Sequence, residues 1–181
     1  KTGTLTEGKM EAVGFVTLGK TTEDATGPAA HQMLRAAILA SDGFTEEIDA
    51  PSTGSDSIVV RGRPMDQAII RAGLEAGLSE ALLRKESPRV DELSFSSVRR
   101  FAGVLVREEE GIVSYVSGAP EVFLSHAGLH TEEIEFYEDA LGRATMEGKR
   151  VLAVGRIQTR LESFPQEHEL DTFLKGVEVF G

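Results

Sequence analysis

Five short stretches concentrate the residue types that bind charged or flat groups. Gly62-Arg63-Pro64-Met65-Asp66-Gln67-Ala68 puts a carboxylate, Asp66, at the start of a helical pattern, where the backbone dipole stabilises an anion and the group can accept a hydrogen bond. The same residue can equally do no more than favour a first helical turn. Phe95-Ser96-Ser97-Val98-Arg99-Arg100-Phe101 sets an aromatic ring shortly before two guanidinium groups. A ring there can stack on a flat ligand, or it can be an ordinary core phenylalanine followed by a solvated charged turn. Ser117-Gly118-Ala119-Pro120-Glu121 leaves room at Gly118 and Ala119 for a close backbone approach, and its Pro120 suits the first turn of a helix. Gly148-Lys149-Arg150-Val151-Leu152-Ala153-Val154 carries Arg150, a planar fork matched to phosphate or to a carboxylate such as nearby Glu147. The fifth stretch, Lys1-Thr2-Gly3-Thr4-Leu5-Thr6, reads on residue type alone as a small polar loop.

Composition removes several other chemistries. There is no cysteine, so neither a disulfide nor a thiolate metal site can form. The four histidines, His31, His126, His130 and His168, show no tight metal spacing, and Gly128 weakens a helical pairing of His126 with His130. A net charge of -11 repels a phosphate backbone and argues against a nucleic-acid partner. With 181 residues, 40% hydrophobic and 27% charged, one folded domain is the simplest expectation. No apolar run is long enough to cross a membrane, and the opening residues do not resemble an export segment.

The elements that must carry these stretches follow from periodicity. Strands are expected over Lys9 to Leu18, Ser57 to Val60, Val90 to Phe95, Phe101 to Arg107, Ile112 to Val116, Arg150 to Ile157 and Gly176 to Gly181. Helices are expected over Pro28 to Ser41, Pro64 to Ala76, Ser79 to Lys85, Ala119 to Ser125 and Thr131 to Glu147, the last capped by Thr131. Gly19 to Gly27 and Asp42 to Asp56 read as loops, and Glu108 to Gly111 as a hairpin turn. Strands that alternate between hairpins and helices predict an α+β domain with a largely antiparallel, twisted sheet flanked by helices. First and last segments that both read as strands suit a domain inserted into another through two adjacent linkers.

Taken in order, the five stretches resemble the nucleotide-binding domain of P-type cation-transporting ATPases. Lys1 to Thr6 is similar to the signature that follows the phosphorylated aspartate, so the resemblance makes residues 1–8 the end of the phosphorylation-domain motif and hinge, and 9–181 the nucleotide-binding domain. It places no catalytic residue here: the aspartate would precede Lys1, with Lys1 and Thr4 flanking it. It assigns nucleotide binding to Asp66, Phe95, Arg99, Arg100, Ser117, Gly118 and Arg150, with Phe95 stacked on adenine, Asp66 near the adenine amino group and the arginines toward the phosphates. Ser117 stands where many members keep a lysine. The implied cofactors are ATP and magnesium, the metal being held mainly by the phosphorylation domain. The implied partners are the phosphorylation, actuator and membrane domains of the same parent chain. This soluble, monomeric piece would work at the cytoplasmic face of a membrane, binding ATP without hydrolysing it, in a pump whose first candidate ion is calcium. Two alternatives remain at this level: an N-domain-like fold with a degenerate pocket acting as a regulatory or interaction module, and a haloacid-dehalogenase-type hydrolase. The latter is disfavoured by the missing nucleophile and metal motif.

Overall fold

The two longest strands are those whose side chains are buried on both faces. β6 (Phe101–Glu108) and β7 (Gly111–Gly118) are near-continuous apolar runs joined by Glu109 and Glu110, with Gly111 at φ 129 closing the turn. A strand covered on both faces needs no polar alternation. The computed structural model of the chain describes residues 10–48 and 57–181.

Element order among the described residues is β1 (Phe15–Thr17), β2 (Lys20–Thr22), α1 (Pro28–Ala40), β3 (Phe44–Ile48), β4 (Ser57–Arg61), α2 (Pro64–Glu75), α3 (Glu80–Glu86) and β5 (Arg89–Leu93). After β6 and β7 come α4 (Pro120–Leu124), α5 (Thr131–Met146), β8 (Ala153–Thr159), a 3-10 turn at Glu167–Glu169, α6 (Leu170–Leu174) and β9 (Glu178–Val179). β5-β6-β7-β8-β9 form one antiparallel sheet in sequence order, and β1-β2 and β3-β4 are separate antiparallel hairpins. The architecture is α+β with a largely antiparallel sheet, as the strand pattern predicts.

Alternation along β6, β7 and β8 gives the sheet two faces. Val104, Val106, Val113, Tyr115 and Val154 pack with α1 and Ile70 of α2. Phe101, Val116, Ala153 and Ile157 face the other way, onto Phe123 of α4 and onto Leu170, Leu174 and Val177. Burying a large aliphatic or aromatic side chain contributes about 1.5–3 kcal/mol, so these two layers hold the strand ends in place. On the second face the segment before the 3-10 turn crosses β5 and β6: the Phe164 amide donates to Asp91 at 2.8 Å and its ring lies over Gly103.

Several boundaries differ from the sequence expectation. The strand expected over Lys9 to Leu18 is confined to β1, with Lys9 outside the described residues. β2 occupies part of the expected loop Gly19 to Gly27, the turn being made by Gly19 at φ 76. Within the expected loop Asp42 to Asp56, residues Phe44–Ile48 form a strand because they pair with β4, a non-local gain that no local period reveals; residues 49–56 lie outside the described ones. His130 rather than Thr131 caps α5, with Glu133 accepting from the His130 amide at 2.7 Å. α6 was not expected at all. Gly181 accepts from the Val154 amide at 2.7 Å and lies against Val16 and Met33.

Candidate functional site

The registers bring four strand ends together. Leu93 pairs with Gly103, Phe101 with Gly118, and Gly118 with Ala153. The end of β5, the start of β6, the end of β7 and the start of β8 therefore share one end of the sheet. Phe95, Arg99 and Arg100 lie in the β5–β6 connection, Gly118 closes β7, and Arg150 comes just ahead of β8. Three interstrand spacings separate β5 from β8, about 14 Å.

Phe95 is 49% exposed, which is not the burial of a core phenylalanine. Arg99 is 17% exposed in its side chain and doubly anchored, donating to Glu167 at 2.7 Å and to the Ser94 carbonyl at 2.6 Å. Arg100 adopts φ 60, in the left-handed region that disfavours a side chain. Its amide donates to the Ser96 carbonyl, its carbonyl accepts from the Ala119 amide at 2.9 Å, and its guanidinium pairs with Glu121. The close approach that Gly118 permits is of the chain to itself: a Cβ there would fall 2.6 Å from Phe101 Cβ and closer still to the Arg100 carbonyl. Ser117 pairs with Ala102 and Val154 and points to the α1 side of the sheet, half-buried.

Arg150 is exposed and forms no hydrogen bond or ion pair among the described residues. Its alternative partner Glu147 is taken by Lys149 at 2.6 Å, a pairing that lowers the carboxyl's pKa and raises the ammonium's. Among the described residues Asp66 forms no hydrogen bond or ion pair with any of these groups. It is buried in the first turn of α2 beside Gly43 and Gly62, accepting from Arg63 at 2.9 Å, and that hydrogen bond raises the Arg63 pKa. Arg63 also reaches Asp42 at 3.2 Å. Lys1 and Thr4 lie outside the described residues. The acidic partners of the two arginines, Glu121 and Glu167, were not singled out from sequence; Glu121 sits inside the Ser117–Glu121 stretch, whereas nothing local marks Glu167. Among the described residues no cluster of histidine and carboxylate ligands could hold a metal ion.

An α+β domain with helices on both faces of an antiparallel sheet, and an aromatic, arginines and a glycine at one sheet end, defines the structural class. A family model described as "P-type ATPase, cytoplasmic domain N" matches residues 29–173, and the chain belongs to that family. The chain is 29% identical over 85% of its length to a "Probable cation-transporting P-type ATPase" of Mycoplasma genitalium, covering 15% of that protein. It is 30% identical over 74% of its length to "Calcium-transporting ATPase 8, plasma membrane-type" of Arabidopsis thaliana, covering 12% of it. It is 28% identical over 85% of its length to "Phospholipid-transporting ATPase 11C" of Mus musculus, covering 17% of it. The chain thus spans less than a fifth of the length of these relatives. No described helix is long and apolar enough to cross a membrane.

Proposed function

We propose that this domain binds ATP across the sheet end that carries Phe95, Gly118 and Arg150, and presents the γ-phosphate to a catalytic aspartate elsewhere in a parent cation-transporting ATPase. One observation carries the reading: a half-exposed ring and a guanidinium with no partner among the described residues stand at the same end of one sheet. The ring offers an adenine a stacking face and Arg150 offers the phosphates a fork, so the residues present fit the nucleotide. Bound ATP supplies the phosphoryl group; the domain's contribution is to hold and orient it. Magnesium accompanying the phosphates would be held mainly by the phosphorylation domain, where it would help neutralise their charge. Asp66 is proposed as an adenine contact only if Arg63 releases it. In the parent, the domain would lie on the cytoplasmic face, linked to phosphorylation, actuator and membrane domains. Calcium is the first ion to test, a choice supported by the Arabidopsis relative named as calcium-transporting.

Titration with ATP and ADP, followed by amide shifts, should perturb Phe95, Gly118 and Arg150 together. Phe95→Ala should weaken ATP binding by about 1–3 kcal/mol, the worth of a base–aromatic stack, with little loss of stability because the ring is half in solvent. Arg150→Gln should cost about 1.5–3 kcal/mol of ATP affinity and little for adenosine. No shift at any of the three sites would reject the reading. A second reading, a degenerate pocket in an interaction module, is favoured by Ser117 in the position where many members keep lysine, and by Arg99 and Arg100 both being held by glutamates. It predicts no saturable nucleotide response.

A further inference from the structure

Two arginines border the proposed nucleotide site, and they are held very differently. Arg99 is mostly buried, with two anchors on separate segments, Glu167 and the Ser94 carbonyl, so its guanidinium ties the β5–β6 connection to the 3-10 turn. Arg100 is 50% exposed in its side chain, and among the described residues its guanidinium has one partner, Glu121, itself 53% exposed, at 2.5 Å. The backbone beneath this pair is fixed on both sides. Arg100 is locked at φ 60 by hydrogen bonds to Ser96 and from Ala119, and Gly118 lets the start of β6 close onto the end of β7. Pro120 then starts α4, with Glu121 next in its first turn. Above this backbone the Arg100 and Glu121 side chains extend half into solvent. A solvent-exposed pair of this kind is worth about 0.2–1 kcal/mol, so an arriving di- or triphosphate can take the guanidinium from the carboxylate.

We infer that Glu121 is a built-in competitor for nucleotide phosphate: it holds Arg100, and a phosphate chain binding at this sheet end must take Arg100 from it. This rests on the nucleotide reading of the site. Glu121 thereby sets how steeply affinity depends on the phosphates. Adenosine, which has none, gives Arg100 no reason to leave; ATP and ADP bind against the competition. Glu121 acts through Arg100 and is a positioning residue rather than a contact.

The test is calorimetric titration of the chain and of its Glu121→Gln, Arg100→Gln and doubly substituted forms with adenosine, ADP and ATP. Glu121→Gln is expected to tighten ADP and ATP binding about 1.5- to 5-fold, the release of an exposed ion pair, and to leave adenosine unchanged. In the Arg100→Gln background the same substitution should give no gain. Unchanged ATP affinity in Glu121→Gln, or a gain that persists without Arg100, would overturn the inference, the second outcome marking a general charge effect. An equal gain for adenosine would also overturn it, as a structural loosening. If the unsubstituted chain binds no nucleotide, the underlying reading fails instead, which this design separates. Thermal unfolding of each form confirms that affinities are compared between folded proteins.

Discussion

At Gly118 the chain meets itself more closely than a side chain allows. An alanine Cβ would press on Phe101 Cβ at 2.6 Å and Phe101 Cα at 2.7 Å, and the Cα, being backbone, cannot rotate away. Gly118→Ala should therefore destabilise the fold by about 1–3 kcal/mol, the usual cost of overpacking, measured by chemical denaturation. It should also displace Arg100, whose carbonyl accepts from Ala119 next door. Amide shifts at Arg100 that stay in place would count against this coupling. Sequence alone marks Gly118 as a place of close approach. It does not say that the approaching group is Arg100, because that contact exists only once β6 and β7 pair in register. The antiparallel order that the strand pattern predicts is what sets Phe95, Gly118 and Arg150 at one sheet end, because neighbouring strands reverse direction and each motif falls at a strand end on the same side. The glutamates that hold Arg99 and Arg100 were not legible, since long-range pairing leaves no local trace.

Helix α1 shows what the same limit means for an element. Its apolar spacing and Pro28 at the first position announce it, yet it has no basic residue in its last turn to meet the exposed carbonyls. Those carbonyls are met from a distance: Arg89 of β5 donates to Leu39 and Ser41, and Arg84 of α3 donates to Ser41 and Gly43. The cap thus ties the helix to the sheet's edge strand. Arg89→Met keeps much of the stem and removes the donors, leaving half-buried carbonyls short of partners. It should cost about 1–3 kcal/mol, and should lower hydrogen-exchange protection first at the C-terminal end of α1. A uniform loss across the domain would speak against a local capping role. β3 and α6 were missed on similar grounds. Phe44–Ile48 is polar enough to read as a loop and becomes a strand by pairing with β4, and Leu170–Leu174 is too short to show a period.

Both tyrosines of the chain join layers of the whole molecule, and both are shifted the same way. Tyr115 on β7 receives the Arg35 guanidinium at 2.6 Å and donates to Glu108 at 2.8 Å, with Ser87 completing a link between α1, the α3 terminus and the central hairpin. Burial is the main cause that raises its phenol pKa, the bond to Glu108 adds to it, and Arg35 opposes. Tyr137 fastens α5 to the first hairpin; burial and then Glu133 raise its phenol, against a backbone hydrogen bond from Leu18. A phenol with a raised folded-state pKa ionises first in the unfolded chain. Once pH passes about 10, the folded form therefore holds more protons than the unfolded form, and stability falls as pH rises. Below that value the contribution is fully present. Denaturation midpoints should hold steady up to about pH 9 and drop beyond about pH 10, with phenolate absorbance rising together with unfolding. Tyr115→Phe, which removes one titrating group and its bond to Glu108, should cost about 1–2 kcal/mol near neutrality and flatten the alkaline loss. A phenolate signal that appears well before unfolding, or an alkaline slope unchanged in Tyr115→Phe, would mean that Tyr115 titrates freely and does not lock α1 to the sheet.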